Sequence, residues 1–200
     1  MTRVVLLVAE MNGLNEAVCT RLAQFGYRVT AIHHDTPQRF PEMRLPACLQ
    51  VERCELNDRE AIRRCIQNIE EAIGPIDILI GPGGISYELI QTLGERMAER
   101  GWGRIIEIAT RVQDASLLQD QCRQRRKTLV PQWQAQGVTL NTISLGSISA
   151  PTEPQSPQQA GSGHLSQAAE VAGLIAYLVT DEAGFLSGAN IPVNGGRQMI

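Results

Sequence analysis

The sequence predicts an α/β fold: a doubly wound parallel sheet of about seven strands, forming a single domain over residues 1–200. Three observations predict it. Short apolar runs alternate with stretches whose apolar residues recur at helical spacing. The strand-like runs are almost continuously apolar, the pattern of parallel strands covered on both faces. A chain of 200 residues that is 43% hydrophobic and 20% charged suits one globular domain, and it contains no internal repeat.

The elements follow in order. Val4–Val8 is an apolar run and the first strand. A turn leads into a helix over Asn15–Phe25, with Ala17, Val18, Leu22 and Phe25 at helical spacing. Gly26 stops it, and Arg28–Ile32 resumes as the second strand. Cys48–Arg53 is the third. Asp58 is placed to cap a helix running from Arg59 to about Ile73. Ile76–Ile80 is the fourth strand, cut by Gly81-Pro82-Gly83-Gly84. Leu89, Ile90, Leu93 and Met97 mark a helix that closes at Gly101. Arg104–Ile108 is the fifth strand. Residues 113–136 are helical in composition, and Pro131 is expected to start a new segment or kink the helix. Val138–Ile143 is the sixth strand, and 149–163, rich in Pro, Gln, Ser and Gly, is a loop. A helix over Ser166–Val179 and a short strand at Asn190–Val193 complete the chain. Right-handed crossovers wind such units onto both faces of one sheet.

Composition excludes several classes. Eighteen basic residues against twenty-one acidic give a net charge of −3, without the basic surplus that nucleic acid or an anionic membrane demands. No apolar run is long enough to span a bilayer. The N-terminus enters a strand-like run at Arg3 without the order of a signal peptide. The cysteines at 19, 48, 54, 65 and 122 are odd in number and scattered, as expected of reduced thiols in a cytoplasmic protein. Three histidines, two of them adjacent, give no zinc spacing, so no metal is expected. Seventeen of the basic residues are arginine, and the one lysine is Lys127.

The stretch from Glu170 to Gly196, Glu-Val-Ala-Gly-Leu-Ile-Ala-Tyr-Leu-Val-Thr-Asp-Glu-Ala-Gly-Phe-Leu-Ser-Gly-Ala-Asn-Ile-Pro-Val-Asn-Gly-Gly, resembles the end of a short-chain dehydrogenase/reductase, on the 3-oxoacyl-carrier-protein reductase branch. Further segments fit in register. Ala9-Glu-Met-Asn-Gly13-Leu-Asn15 stands where the family has its Gly-rich turn, and Cys54-Glu-Leu-Asn-Asp58 resembles the turn after the third strand. Asp77-Ile-Leu-Ile-Gly-Pro-Gly-Gly84 resembles the Asn-Asn-Ala-Gly turn, and Gly103-Arg-Ile-Ile-Glu-Ile-Ala-Thr110 the strand that ends in the catalytic serine. Gly137-Val-Thr-Leu-Asn-Thr-Ile-Ser-Leu-Gly146 resembles the sixth strand. The resemblance implies a Rossmann-type sheet and an NAD(P)-dependent oxidoreductase ancestry.

The functional positions depart from the family pattern. The family's first turn is Thr-Gly-x-x-x-Gly-Ile-Gly, whose glycines let bare backbone approach a pyrophosphate at a helix N-terminus. Here Ala9 and Asn15 replace two of them, Gly13 survives, and Glu10 adds a like charge beside the phosphates. His33 falls at the ribose position, Glu55 at the adenine-contacting aspartate, and Gly83 and Gly84 close a turn that has lost both asparagines. In the family, Ser and Tyr bind the carbonyl oxygen, Tyr donates the proton, Lys lowers the Tyr pKa and holds the ribose, and Asn carries a relay water. Thr110 matches the serine. Counted forward from it, the Tyr position is Arg123 and the Lys position Lys127; counted back from Gly137, they are Ala115 and Gln119. Neither register supplies a tyrosine, and arginine is a poor proton donor. The segment between Gly84 and Gly103 is short and contains no Asn, and residues 149–163 replace the substrate lid.

The resemblance therefore implies a non-catalytic subunit with no intact catalytic residue and no cofactor of its own. It would pair with a catalytically intact short-chain dehydrogenase in a heteromer, expected as a heterotetramer, that holds the NAD and takes an alcohol or acyl-CoA-type substrate. It is similar in kind to the degenerate subunit of the 2-[hydroxy(phenyl)methyl]succinyl-CoA dehydrogenase of anaerobic toluene degradation. Ile191, Val193, Met199 and Ile200 keep the C-terminal end apolar, for docking on another subunit or on the chain's own sheet. Two other readings stay open. One is a divergent active NAD(P)-dependent oxidoreductase that uses Thr110 and Lys127; the other is a ligand-sensing protein on the same fold.

Overall fold

A computed structural model describes residues 2–8, 13–33, 50–109, 115–146 and 168–195. Seven strands, β1 (Val4–Val8), β2 (Arg28–His33), β3 (Gln50–Arg53), β4 (Ile76–Pro82), β5 (Gly103–Ala109), β6 (Val138–Leu145) and β7 (Asn190–Val193), form one sheet in the order β3-β2-β1-β4-β5-β6-β7. Every pair is parallel. Five helices alternate with them: α1 (Gly13–Gln24), α2 (Arg59–Ile73), α3 (Tyr87–Glu99), α4 (Ala115–Trp133) and α5 (Ala168–Leu178). No described helix is long and apolar enough to cross a membrane.

The helices bury opposite faces of the sheet. α2, α3 and α4 cover one apolar cluster, in which Ile62, Ile66 and Ile69 of α2 meet Leu6, Val8 and Leu79. α1 and α5 cover the other, where Val18, Leu22, Val171 and Ile175 meet Val5, Leu7, Ile78 and Ile106. Each such side chain contributes about 1.5–3 kcal/mol by leaving water. The cap read from Asp58 is present: its Oδ1 accepts from the Glu60 N–H at 2.9 Å.

Three expectations are corrected. β4 is not cut at Gly81 but runs through Pro82. Gly83 N–H donates to Ile108 at 2.9 Å, so Pro82 turns its missing donor away from β5, to the side where the β1 ladder has already ended at Leu7↔Ile80. β6 likewise continues past Ile143 to Leu145. Of the two outcomes expected at Pro131, a new segment is not found: α4 passes through it as one helix. The proline falls in the last turn, where it removes one hydrogen bond, and a single 3-10 turn at Gln134–Gln136 follows. Ile191 and Val193 pack onto the chain's own sheet, while Met199 and Ile200, with the 149–163 loop and Cys48, lie outside the described residues.

The amino edge of the sheet is closed by a stack. The Arg3 guanidinium lies 3.4 Å from the Trp102 ring centroid, and the Arg104 guanidinium 4.3 Å from it. Trp102 Nε1 and Arg3 both donate to Asp181 Oδ1, at 2.8 and 2.9 Å.

Candidate functional site: the carboxyl edge of the sheet

β1 has β2 on one side and β4 on the other. The winding reverses at that point, and ligands of open α/β sheets bind in the crevice just beyond the strand ends there. The fold brings most of the residues singled out from the sequence to this edge. Gly13 opens α1 and is exposed. Asn15, in the first helical turn, is only 7% exposed, so its side chain is packed in rather than standing free in the crevice. His33 ends β2, half-buried, and its carbonyl accepts from Cys54 N–H at 3.2 Å. Glu55, beyond β3, is exposed and pairs with Arg53 at 3.0 Å. Gly83 is buried and Gly84 exposed just past β4. Ala9, Glu10 and Thr110 lie outside the described residues.

Arg123 and Lys127 are not at this crevice. The α4 residue that meets the turn after β4 is Cys122, whose Sγ lies 3.4 Å from the Gly83 carbonyl oxygen and donates to it. A Cβ on Gly83 would come within 3.0 Å of that sulfur, so glycine is what lets the helix approach. Lys127 is five residues further along α4, about 7 Å down the sheet at the helical rise. Arg123 and Lys127 instead line a cleft between α4 and the β6–β7 edge. Tyr27 precedes β2, Tyr87 opens α3 and Tyr177 sits exposed in α5, so no tyrosine lies on α4.

Beneath Cys122 is a buried polar cluster that sequence reasoning missed. Glu107 of β5 is 1% exposed and accepts from Arg125 Nη1 of α4 at 2.5 Å, while its Oε2 has no hydrogen-bond partner among the described residues. Arg126 donates to Thr142 of β6. The readable signal was a lone carboxylate in the apolar run Ile105-Ile-Glu-Ile108, together with Arg125 at core spacing between Cys122 and Leu129. Burial holds the Glu107 carboxyl above its ordinary range, with Arg125 pulling the other way. Burial, and then the Glu107 charge, push the Cys122 thiol up to about 11. Cys122 is therefore a structural thiol and not a nucleophile at neutral pH.

The Glu107 shift has a pH signature. The native state holds this proton more tightly than the unfolded chain, so the group's stabilising contribution is complete below the ordinary glutamate pKa and is lost as pH rises through the raised value. Glutamine cannot titrate. The Tm of Glu107→Gln relative to wild type is thus expected to climb as pH rises from the ordinary glutamate range through the raised value. Thermal melts across that range check it, and a difference that stays flat would contradict the raised value.

Residues 3–111 match the short chain dehydrogenase family. The chain belongs to that family. The chain is 28% identical over 245 residues to an acetoacetyl-CoA reductase of Allochromatium vinosum, covering 100% of both chains. It is 25% identical over 238 residues to an acetoacetyl-CoA reductase of Rhizobium meliloti, covering 98% of this chain and 99% of the relative. It is 23% identical over 240 residues to the 3-oxoacyl-[acyl-carrier-protein] reductase MabA of Mycobacterium avium, covering 100% of this chain and 91% of the relative.

Proposed function

We propose that this short chain dehydrogenase is a non-catalytic subunit that pairs with a catalytically intact relative in a cytoplasmic heteromer. The contact of Cys122 with Gly83 carries the reading. It supports the register counted back from Gly137, in which Ala115-Ser-Leu-Leu-Gln119 overhangs the strand ends. That segment offers no acid suited to neutral pH and no ammonium to hold a ribose. The floor below it is an inert thiol over a buried ion pair.

A dinucleotide is the group the family implies, and the residues at the crevice do not fit it. The helix N-terminus that would seat the pyrophosphate has Asn15 packed into its first turn, and Ala9 and Glu10 stand where a bare, uncharged backbone is needed. In this reading the NAD belongs to the partner subunit. The alignment with the Allochromatium relative runs over 245 positions, more than the 200 residues of this chain, which supports shortened substrate-binding segments here. That relative's name favours an acyl-CoA-type substrate on the partner.

The test is native mass spectrometry of the protein isolated from its own cells. The expected species is a heteromer with a larger dehydrogenase chain, nucleotide being carried on that chain alone. A homomer holding NAD(P) would sink the proposal. The full-length match to named reductases favours one second reading, a divergent active oxidoreductase, although Lys127 lines the α4 cleft and not the crevice. In that case the purified chain alone turns over a carbonyl substrate.

A further inference from the structure

The cleft between α4 and the β6–β7 edge has a volume of about 670 Å³ and lies away from the β1–β4 crevice. Its helical wall carries Asp120, Arg123, Arg126 and Lys127, and its strand wall Ser144 and Asn190. Both walls follow from periodicity. Residues 123, 126 and 127 share one face of a helix at i, i+3 and i+4. In β7, Ile191 and Val193 pack against the opposite face of the sheet, and alternation turns Asn190 toward α4. Ser144 Oγ donates to Asn190 Oδ1 at 2.6 Å.

Three cations and one carboxylate share this cleft, in a chain whose net charge is −3. Like charges at this spacing destabilise a helix. Among the described residues neither Arg123 nor Lys127 has an acidic partner within ion-pair distance. Arg126 donates to the neutral Thr142 hydroxyl, and burial disfavours its charge while Cys122 and Glu107 pull the other way. An anion between these side chains reverses the sign of that interaction. Arginine forks match phosphate oxygens in geometry as well as charge. Hydroxyl and amide groups on the opposite wall supply further hydrogen-bonding partners, and the volume is that of a small-molecule site, larger than a bare ion needs.

We infer that this cleft binds a small organic phosphate carrying at least two negative charges. The inference does not depend on whether the chain is catalytic, so either idea survives the failure of the other. The test titrates the full-length protein with inorganic phosphate, pyrophosphate, glycerol 3-phosphate and, as a carboxylate control, citrate. Saturable one-to-one binding of glycerol 3-phosphate and pyrophosphate is expected, weakened at about 0.5 M salt. Arg123→Gln with Lys127→Gln raises Kd at least about tenfold with unchanged far-UV circular dichroism, whereas Arg59→Gln with Arg63→Gln on α2 leaves it unchanged. Asp120→Asn, which removes the one carboxylate, tightens binding about twofold or more. Absence of saturation by any phosphate up to about 10 mM overturns the proposal. So does binding that survives the Arg123/Lys127 change, that the α2 control weakens equally, or that citrate matches. Binding of inorganic phosphate and pyrophosphate without glycerol 3-phosphate would overturn the organic ligand.

Discussion

Arg125→Leu is expected to cost about 3–5 kcal/mol of folding stability, because it leaves the Glu107 carboxylate buried without its counter-charge. Urea unfolding reads this as a lower midpoint at unchanged slope. The loss shrinks at acid pH, where Glu107 takes up its proton and the buried charge disappears. The second arm is more diagnostic. Replacing both partners, Glu107→Leu with Arg125→Leu, is expected to return most of the loss, since an apolar pair of similar volume avoids the desolvation of two ions. A single change that costs under about 1 kcal/mol would mean the pair behaves as a solvated surface contact, which its burial argues against.

Gly94→Ala is expected to destabilise, although glycine to alanine inside a helix ordinarily stabilises by about 1 kcal/mol. Gly94 is a buried residue of α3, and Trp133 of α4 lies across it. A Cβ there would come within 2.3 Å of the Trp133 Cη2 and 2.5 Å of its Cζ2. The ring is itself buried and has nowhere to withdraw. Overpacking of this kind costs about 1–3 kcal/mol or more beyond the helix gain. In a Trp133→Leu background the same change becomes neutral or stabilising, and a double-mutant cycle measures the coupling. A stabilised Gly94→Ala in the wild-type background would show that the helices separate easily at this crossing.

What could be read from the sequence was what is encoded locally. Apolar runs marked β1, β2, β4 and β5, Asp58 marked a helix start, and glycines marked the stops. What escaped depends on partners far along the chain. The sixth strand read as ending at Ile143, yet Ser144 continues β6 and bonds Asn190 of β7. Pro82 read as a break because its missing donor has a consequence only on a side where a neighbouring strand pairs. Glu107 stood out in its strand, but Arg125 is 18 residues away on a different element. The placement of Arg123 and Lys127 depended on helix register, which residue counting left open and on which the Cys122–Gly83 contact bears.

The stack at Trp102 bears on how this molecule is born. Arg3 and Asp181, which grip the same indole, are 178 residues apart. Closing so long a loop carries a large entropic cost, met only once most other contacts exist. On the ribosome, β1 emerges early and must wait for the turn after α5 before its edge can be sealed. Trp133, held between α3 and α4, belongs to a shorter loop that can assemble sooner. The two tryptophans thus act as clocks on one sheet, Trp133 marking the closing of its middle and Trp102 the arrival of the turn after α5.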